Sequence, residues 1–251
     1  MEIKRRPFQG VFNIIRFNWH YYLIASLIII PTLTLNHLLP EFLQAIAYLI
    51  SMLLLISIFI SLVVSCYVYD FSNLYKLDWL PELDDRNVLS INAGFDETSS
   101  ILMRKFEKIG LTVCDFFDPN IHTEISIKRA RKAYPPIDGT MQVSTSQLPF
   151  EKDTFDYIVV FLSAHEIRSN KERIQFIKEL KRVINSEGQI IVTEHLRDLP
   201  NFLAYNLGFT HFHSRNTWLQ SFKKANLQII EEIKTTPFIT TFKLAKDGNT
   251  L

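Results

Sequence analysis

The pattern of hydrophobic and polar positions divides the chain into two parts of different character. Between Phe17 and Tyr69 the only charged residue is Glu41, whereas charged residues are frequent on both sides of this segment. Residues 42–68 form an uncharged run of 27 residues. As a helix this run is about 40 Å long at ~1.5 Å per residue, enough to cross a hydrocarbon layer ~30 Å thick. The pattern therefore predicts a transmembrane helix here.

A second apolar stretch, residues 22–39, precedes this helix. It contains Pro31, Asn36 and His37, and a turn around Pro40 would close a helical hairpin over residues 22–69. A re-entrant first helix is the alternative to a full span. A cleavable signal peptide fits poorly, because the first run is long, lacks a small-x-small cleavage site and is followed at once by the second run. We therefore expect the hairpin to remain in the mature protein as a membrane anchor.

Basic residues flank this hairpin on its outer sides and are absent from its turn. The flanking residues are Lys4, Arg5, Arg6, Arg16, Lys76 and Arg86. Because basic residues near the ends of spans favour the cytoplasmic side, both termini and the second part of the chain are predicted to face the cytoplasm. Residues 1–21 combine basic and aromatic side chains, a composition typical of an interfacial segment.

After a linker predicted over residues 70–86, short β-like runs alternate with charged, amphipathic stretches. The predicted strands are residues 88–92, 111–117, 155–164 and 189–195, and the predicted helices are residues 98–110, 171–184 and 218–225. The stretch SIKRARKAYPP is predicted to be irregular and NSEG to form a turn. Two final runs, LQIIEEI and FITTFKL, predict an antiparallel pair. Such alternation predicts an α/β domain over residues 87–251, with a mostly parallel sheet covered by helices on both faces.

Charge and cysteine content exclude two further classes. A net charge of +1 gives no reason to expect a nucleic-acid partner, since nucleic-acid binders carry a basic excess or a basic face. Cys66 lies in the apolar run and Cys114 in a predicted strand. The cysteines therefore predict reduced, buried thiols rather than a disulfide framework.

Ligands of open α/β sheets bind beyond the carboxyl ends of the parallel strands, and this rule selects the candidate residues. The turn Asn92-Ala93-Gly94-Phe95-Asp96 follows the first strand, and a glycine there lets the backbone approach a ligand closely. A tight connection with Asp96 as a helix cap is the alternative interpretation. Asp115 ends the second strand, where a carboxylate can accept hydrogen bonds from the two hydroxyls of a ribose; a solvated strand-end acid is the alternative.

Histidines follow the next two strands. His165 and Glu166, in SAHEIR, end the third long strand, where an imidazole of near-neutral pKa is suited to removing a proton from a hydroxyl or amine. Capping of the following helix or anchoring of a loop is the alternative. His195 ends the next strand. We predict His165 as the catalytic base, supported by Glu166 or His195.

The tripeptide HFH places two further histidines close together. His211 and His213 are two residues apart in a loop without neighbouring cysteines or acidic clusters, which is poor evidence for metal ligation. The sequence therefore predicts no metal site. Substrate lining, or packing beside Trp218, is the expected role of these two histidines.

With the elements placed, residues 87–244 resemble class I S-adenosylmethionine-dependent methyltransferases. VLSINAGFD corresponds to the glycine-rich first motif of that family and CDFFDP to its ribose-binding acid. QLPFEKDTFDYIVVFLSAHEI is similar to the stretch that leads into the family's fourth strand, and ELKRVINSEGQIIVTEH is similar to the turn and fifth strand that follow. EHLRDLPNFLAYNLGFTHFHSR with the terminal TPF resembles a membrane-anchored branch. The resemblance implies a Rossmann-like fold preceded by the two-helix transmembrane hairpin.

The resemblance also implies S-adenosylmethionine as cofactor and a set of residues that bind it. Its methionine portion would lie against Asn92, Ala93 and Gly94, with Asp96 nearby, and its ribose would bind Asp115. Its adenine would lie near residues 144–148, namely Ser144, Gln147 and Leu148.

Two acids of the family pattern are replaced in this chain, by Ser90 in the first strand and by Ser144 before LPF. Three functions remain open. The first is a membrane-anchored methyltransferase that acts on a hydroxyl or amine of a lipophilic small molecule, with membrane-bound biosynthetic enzymes as partners. The second is a catalytically degenerate domain that serves as a membrane-tethered module for a ligand or a partner. The third is a membrane-tethered scaffold in which the hairpin is the functional element.

Overall fold

Two long helices begin the chain, and an α/β domain follows them. The computed structural model describes residues 5–122 and 124–246; Lys4, used above to predict the orientation, lies outside them. Helix α1 spans Gln9–Leu35 and helix α2 spans Glu41–Cys66. By length and composition both are able to cross a membrane. Most of their side chains are exposed: only 17% of the most apolar 18-residue stretch of the first helix, and 11% of that of the second, is buried inside the protein.

Helix α1 is divided by a break at Asn18, whose φ of −111° and ψ of 17° are not helical. The part before the break lies against the α/β domain, where Phe17 is buried. Its first turn is held by Asp70, whose carboxylate accepts hydrogen bonds from the backbone N–H groups of Gly10 at 2.7 Å and Val11 at 2.9 Å. These are N–H groups that a helix cannot pair internally. The N-terminal part of α1 is therefore anchored to the domain.

The sheet of the domain has seven strands in the order β3-β2-β1-β4-β5-β7-β6. The first five strands in this order are parallel, and β7 runs antiparallel to both β5 and β6, as the sequence predicted. The strands are β1 (Asn87–Asn92), β2 (Gly110–Asp115), β3 (Met141–Gln142), β4 (Phe155–Phe161), β5 (Ile184–His195), β6 (Leu227–Thr236) and β7 (Ile239–Lys246). The helices are α3 (Thr98–Lys105), α4 (Ile125–Ala133), α5 (Asn170–Val183), α6 (Leu199–Tyr205) and α7 (Arg215–Lys224).

Both faces of the sheet are covered, because successive strand residues point to opposite faces. On one face, Leu89 of β1 packs in a core with Phe176 of α5 and Trp218 of α7. On the other face, Val88 packs with Leu102 of α3 and with leucines of the segment before β1. Those leucines are Leu74, Leu77, Leu80 and Leu83. Residues 70–86, predicted as a linker, thus form part of a core.

Three of the element boundaries that differ from the sequence prediction are in α3, α4 and β5. Helix α3 ends at Lys105 rather than Gly110, because Phe106 takes an extended conformation and turns its ring into the core. SIKRARKAYPP, predicted to be irregular, contains most of helix α4, of which only Ala130 is buried. NSEG lies within β5 as an irregularity of its pairing with β4 rather than as a separate turn. Both cysteines are free thiols; Cys114 is buried and Cys66 is half-buried.

Candidate active site

The turn after β1 has the backbone conformation that a glycine requires. Gly94 has a φ of +91°, and a Cβ at this position would lie 2.9 Å from the ring of Phe117. The side chain of Asn92 supports the turn, since its Oδ1 accepts a hydrogen bond from the Gly94 N–H at 3.0 Å and its Nδ2 donates to the Cys114 carbonyl at 3.1 Å. Ala93 is buried between them. The backbone therefore makes a tight, supported turn at the predicted cofactor position.

Asp96 ends this turn and lies two residues before the start of helix α3. Its Oδ1 accepts a hydrogen bond from the backbone N–H of Ser99 at 2.9 Å, which is the capping role considered from the sequence. Burial raises the pKa of the Asp96 carboxyl group. Beneath it, the hydroxyl of Ser99 donates to that of Ser90 at 2.9 Å, so the position of the family's first-strand acid is occupied by a buried hydroxyl pair.

Asp115 lies at the carboxyl end of β2, as predicted, and is only 1% exposed. Its Oδ1 accepts a hydrogen bond from the Phe117 N–H at 2.8 Å, and its Oδ2 is paired with the guanidinium of Arg131 from α4. The same guanidinium lies 4.9 Å from the centroid of the Phe117 ring. Both oxygens of the predicted ribose acid are thus in contact with groups of the protein.

A cavity of about 590 Å³ opens beside Arg131, within the range of small-molecule sites. Ser144, predicted near adenine, lines it, whereas Gln147 is an exposed residue outside its lining and Leu148 is buried in the core with its N–H bonded to Glu179. The complete lining is Phe116, Phe117, Asp118, Pro119, Ile121, His122, Arg131, Gln142, Val143, Ser144, Thr145 and Glu172.

His165 stands in the turn after β4 and is held by a buried carboxylate from β5. Glu194 is completely buried, and its Oε2 lies 2.6 Å from Nδ1 of His165. Its Oε1 accepts hydrogen bonds from the backbone N–H groups of Ser163 and His165, at 3.1 and 3.2 Å. Glu194 therefore fixes both the backbone of this turn and the orientation of the imidazole.

Glu166 joins His165 to a second histidine, His211. Its Oε1 lies 3.4 Å from Nε2 of His165 and 3.1 Å from Nε2 of His211. Nδ1 of His211 lies 2.8 Å from Oε1 of Glu124. The predicted pair His165 and Glu166 is thus part of a larger cluster that includes Glu124, Glu194 and His211.

This arrangement shifts the pKa values of the cluster. Burial lowers the pKa of His165, but the carboxylates of Glu194 and Glu166 outweigh it and raise this pKa to about 10. Burial also lowers the pKa of His211, but the carboxylates of Glu124 and Glu166 outweigh it and raise this pKa above its usual value. Burial would raise the pKa of Glu166, yet the two histidines hold it well below its usual value. The sequence led us to expect a near-neutral pKa for His165, and in the structure this pKa is instead raised.

His195, the third predicted catalytic residue, points to the other side of β5 from Glu194. Its Nε2 lies 2.7 Å from the hydroxyl of Tyr69, in the helical turn that follows α2, and its Nδ1 lies 2.9 Å from Oδ1 of Asn201. Its ring stacks on Phe212 with the centroids 4.7 Å apart. Burial lowers the pKa of His195 to about 4. The structure thus places this neutral imidazole between the helical hairpin and the domain.

Sequence reasoning missed Arg131, Glu124, Glu194 and the position of His211. The alternation of side chains along a strand could have indicated Glu194. Because Glu194 and His195 are neighbours at the end of β5, their side chains point to opposite faces of the sheet, and only one of them can face the turn after β4. The other three lie on segments without strand periodicity. His213, by contrast, has its predicted role, because its ring packs edge-to-face on Trp218 with the centroids 5.5 Å apart.

Comparison with known proteins identifies a methyltransferase domain in part of the chain. Residues 93–192, from the turn after β1 to the middle of β5, match the family model described as a methyltransferase domain. A SAM-dependent methyltransferase from Aquifex aeolicus is similar in structure, with 14% identity, a TM-score of 0.49, and coverage of 67% of this chain and 86% of that chain. For a geranyl diphosphate C-methyltransferase from Streptomyces coelicolor A3(2) the values are 12%, 0.48, 68% and 76%. No curated protein matches the chain.

The matched segment and the strand order define a methyltransferase domain on a Rossmann-like sheet. Residues 93–192 thus form a methyltransferase domain, the class for which the sequence predicted S-adenosylmethionine as cofactor. The residues at the strand ends fit S-adenosylmethionine: the Gly94 turn permits close approach to the backbone, Asp115 offers a carboxylate, and the neighbouring cavity has a volume within the range of small-molecule sites. A ribose bound to Asp115 would have to displace the guanidinium of Arg131, which is paired with this carboxylate in the structure.

Proposed function

We propose that this protein is a membrane-anchored methyltransferase that methylates a hydroxyl or amine of a lipophilic small molecule at the cytoplasmic surface of a bilayer. The observation that carries the proposal is an apolar surface on the domain itself. Helix α6 and the turn after it, Asn206–His211, present exposed apolar side chains on the part of the domain that contacts α2. These side chains are Leu199, Phe202, Leu203 and Leu207.

The hairpin and this surface are joined to each other. The amide of Asn206 donates a hydrogen bond to the hydroxyl of Ser57 in α2. Exposed apolar residues therefore continue from the hairpin onto the domain, and exposed patches of this kind mark sites of contact with proteins or membranes. A lipophilic acceptor dissolved in the bilayer would meet the domain at this surface. The basic residues outside the hairpin, such as Arg5 and Arg6, support a cytoplasmic orientation.

The cofactor and the acceptor are assigned to neighbouring turns at one edge of the sheet. Strands β1 and β4 are adjacent and parallel, so the Gly94 turn and the His165 turn follow them at the same edge. A hydrogen bond of 3.1 Å from the hydroxyl of Ser163 to the carbonyl of Ile91 connects the two strand ends. We assign the methionine portion of the cofactor to the first turn, the ribose to Asp115 and the acceptor to the side of His165.

Bound S-adenosylmethionine supplies an electrophilic methyl group on a sulfonium, and the residues of the chain orient the acceptor toward it. Proximity and alignment account for much of the acceleration in such transfers. His165 and Glu166 are the polar groups at the acceptor side, and Glu194 holds His165 in place. His195, neutral and enclosed by Tyr69 and Asn201, supports this region rather than exchanging a proton.

Calorimetric titration of the detergent-purified full-length protein with S-adenosylmethionine tests the cofactor assignment. We expect saturable binding below about 1 mM, the upper end of ordinary enzyme affinities for substrates. Asp115→Asn should weaken the binding at least tenfold, whereas Asp138→Asn, in the loop before β3, serves as a charge-matched control. Absence of binding to the wild-type protein would instead favour the catalytically degenerate module.

A labelling experiment tests the acceptor class. The purified protein is incubated with methyl-labelled cofactor and, separately, with the lipid extract and the water-soluble extract of its native cells. We expect the label to appear in a product that partitions into organic solvent, and only with the lipid extract. Label confined to a water-soluble product would contradict a lipophilic acceptor while leaving the methyltransferase intact.

A further inference from the structure

We propose that His165, Glu166 and His211 form a binding site for a divalent transition metal, with zinc as the ion that best matches the ligands. Two imidazoles and one carboxylate are a ligand set of catalytic zinc sites, which keep a further position open for water or substrate. The occupancy of the site is independent of the proposed acceptor. Its use in methyl transfer rests on the proposed function.

The three ligand atoms lie close enough together to bind one and the same ion. Oε1 of Glu166 lies 3.4 Å from Nε2 of His165 and 3.1 Å from Nε2 of His211. One atom from each of the three residues lies within 4.8 Å of the others. Ligands bound at about 2.1 Å in a tetrahedral site stand about 3.4 Å apart, so small side-chain movements would complete the geometry.

Both histidines have the outer partners that metal-binding histidines require. Nδ1 of His165 lies 2.6 Å from Oε2 of Glu194, and Nδ1 of His211 lies 2.8 Å from Oε1 of Glu124. A carboxylate on Nδ1 fixes the tautomer that leaves the Nε2 lone pair free and increases its basicity. Both Nε2 atoms are directed at the same oxygen of Glu166. Two acidic residues thus orient two imidazoles toward one point, from opposite ends of the cluster.

The charges of the cluster also favour a divalent cation. An ion binds neutral imidazoles, so it would displace the protons that the carboxylates otherwise stabilise on His165 and His211. The carboxylates of Glu124, Glu166 and Glu194 then carry three negative charges. The guanidinium of Arg168 lies 3.5 Å from Glu124 and 2.9 Å from Nε2 of His211. It offsets one of these charges, and it would have to move aside for an ion to reach Nε2. Arg168 is 43% exposed, whereas Glu194 is completely buried. The positive charge of Arg168 therefore offsets negative charge only on the solvent side of the cluster. An ion of charge +2 at the Nε2 atoms would balance the remainder.

A metal at this position would act on the acceptor as a Lewis acid. An acceptor hydroxyl bound at the open position loses its proton to solvent water more readily, because the ion lowers its pKa. Its oxygen then forms the new bond to the methyl carbon, the carbon–sulfur bond breaks, and the electron pair remains on sulfur as an uncharged thioether. This assigns to the ion the activation that the sequence had assigned to His165 as a base.

The test uses untagged full-length protein in detergent, so that no affinity tag binds metal. Zinc content is measured by mass spectrometry after purification without chelator. The protein stripped with chelator is then titrated with Co²⁺, whose visible absorption bands report its coordination. We expect about one zinc per chain and a saturable Co²⁺ spectrum. Glu166→Gln and His211→Ala should each weaken Co²⁺ binding at least tenfold, and the double variant H165A/H211A should abolish it.

His37→Ala, an exposed histidine between the two long helices, is the matched control and should bind Co²⁺ as the wild type does. S-adenosylmethionine binding is measured on every variant as the test of folding. Loss of Co²⁺ with cofactor binding retained supports the site; Co²⁺ binding by H165A/H211A equal to that of the wild type overturns it. If the double variant does not fold, Glu166→Gln, which preserves the side-chain shape, decides the question in the same way. Cofactor binding by a wild type that holds no metal would refute the metal site alone.

Discussion

The guanidinium of Arg131 is paired with the carboxylate of Asp115, the residue assigned to the ribose of the cofactor. Arg131 belongs to helix α4, and α4 rests on helix α1 through Arg129, which donates to the carbonyl of Phe17 at 2.7 Å. Just beyond α4, the hydroxyl of Tyr134 donates to Asn13 at 3.0 Å. The guanidinium that is paired with the proposed ribose acid is therefore connected to the first helix of the hairpin.

We expect Arg131→Gln to strengthen S-adenosylmethionine binding. The ribose hydroxyls compete with the guanidinium for Asp115, and removal of the competitor should lower Kd about five- to tenfold, equivalent to about 1 kcal/mol. Calorimetric titration measures the change. Lys132→Gln removes the same charge from the next, exposed position of α4 and should leave Kd unchanged. Weaker binding by Arg131→Gln would mean that Arg131 contacts the cofactor itself.

Glu194→Gln should lower the rate of methyl transfer without changing cofactor affinity. The amide keeps an oxygen for the N–H groups of Ser163 and His165. It loses the negative charge and presents an NH₂ group to Nδ1 of His165, so the contact that orients the imidazole is lost. A loss of kcat of about tenfold or more is expected, since outer partners of this type commonly contribute that much. Glu231→Gln, from an ion pair with Lys243 at the sheet edge, is the control. An unchanged kcat would remove Glu194 from this positioning role.

The stability of the protein should fall in acid in a way that depends on His195. Burial lowers the pKa of His195 to about 4 in the folded protein, against 6.5 for an accessible histidine. The unfolded chain therefore binds this proton first as the pH falls. Stability from this residue is complete above pH 6.5 and is lost progressively down to about pH 4, by about 3 kcal/mol in total.

Denaturant unfolding at pH 7 and pH 5, followed by tryptophan fluorescence, measures this effect. His195→Asn should be less stable at pH 7 but should lose less stability between the two pH values than the wild type. Other titrating groups, including His165, are common to both proteins, so the difference isolates His195. An equal loss in both proteins would contradict the assignment of a neutral, buried His195.

Leu55→Arg should weaken the attachment of the protein to membranes. Leu55 lies in the middle of α2 and is 51% exposed, where arginine costs about 3 kcal/mol in a bilayer. We expect the wild type to resist extraction of membranes with alkaline carbonate and the variant to be partly released. Met103→Arg, on the exposed side of α3 at 46% exposure, introduces the same charge in the domain and should resist extraction like the wild type. Release of the wild type would show that the hairpin does not span a bilayer.

The parallel half of the sheet was predictable because its strands alternate regularly with amphipathic helices. Residues 88–92 lie within β1, residues 218–224 lie within α7, and the two last runs form the antiparallel pair β6–β7. Helix α4 was not predictable in the same way. Only Ala130 of this helix is buried, so it has no hydrophobic stripe, and its helical form depends on contacts with α1.

The candidate site was predictable where it depends on strand ends and unpredictable where it depends on distant segments. Asp115 and His165 follow from the rule that ligands bind beyond the carboxyl ends of parallel strands. His211 reaches Glu166 from a helical turn 45 positions later in the chain, and Glu124 approaches from the segment before α4. The local sequence pattern does not predict that these distant residues come together. Taken by itself, the spacing of the two histidines in HFH argued against a metal site.

Contacts on both sides of the hairpin hold it to the domain: Asp70 binds the first turn of α1, and the hydroxyl of Tyr69, after α2, binds His195. If the hairpin spans a bilayer as proposed, a domain held in this way keeps a fixed distance from the membrane surface and encounters a lipophilic acceptor by diffusion in two dimensions. In mixed detergent–lipid micelles its rate should follow the surface mole fraction of the acceptor, so that added inert detergent slows the reaction at constant bulk concentration.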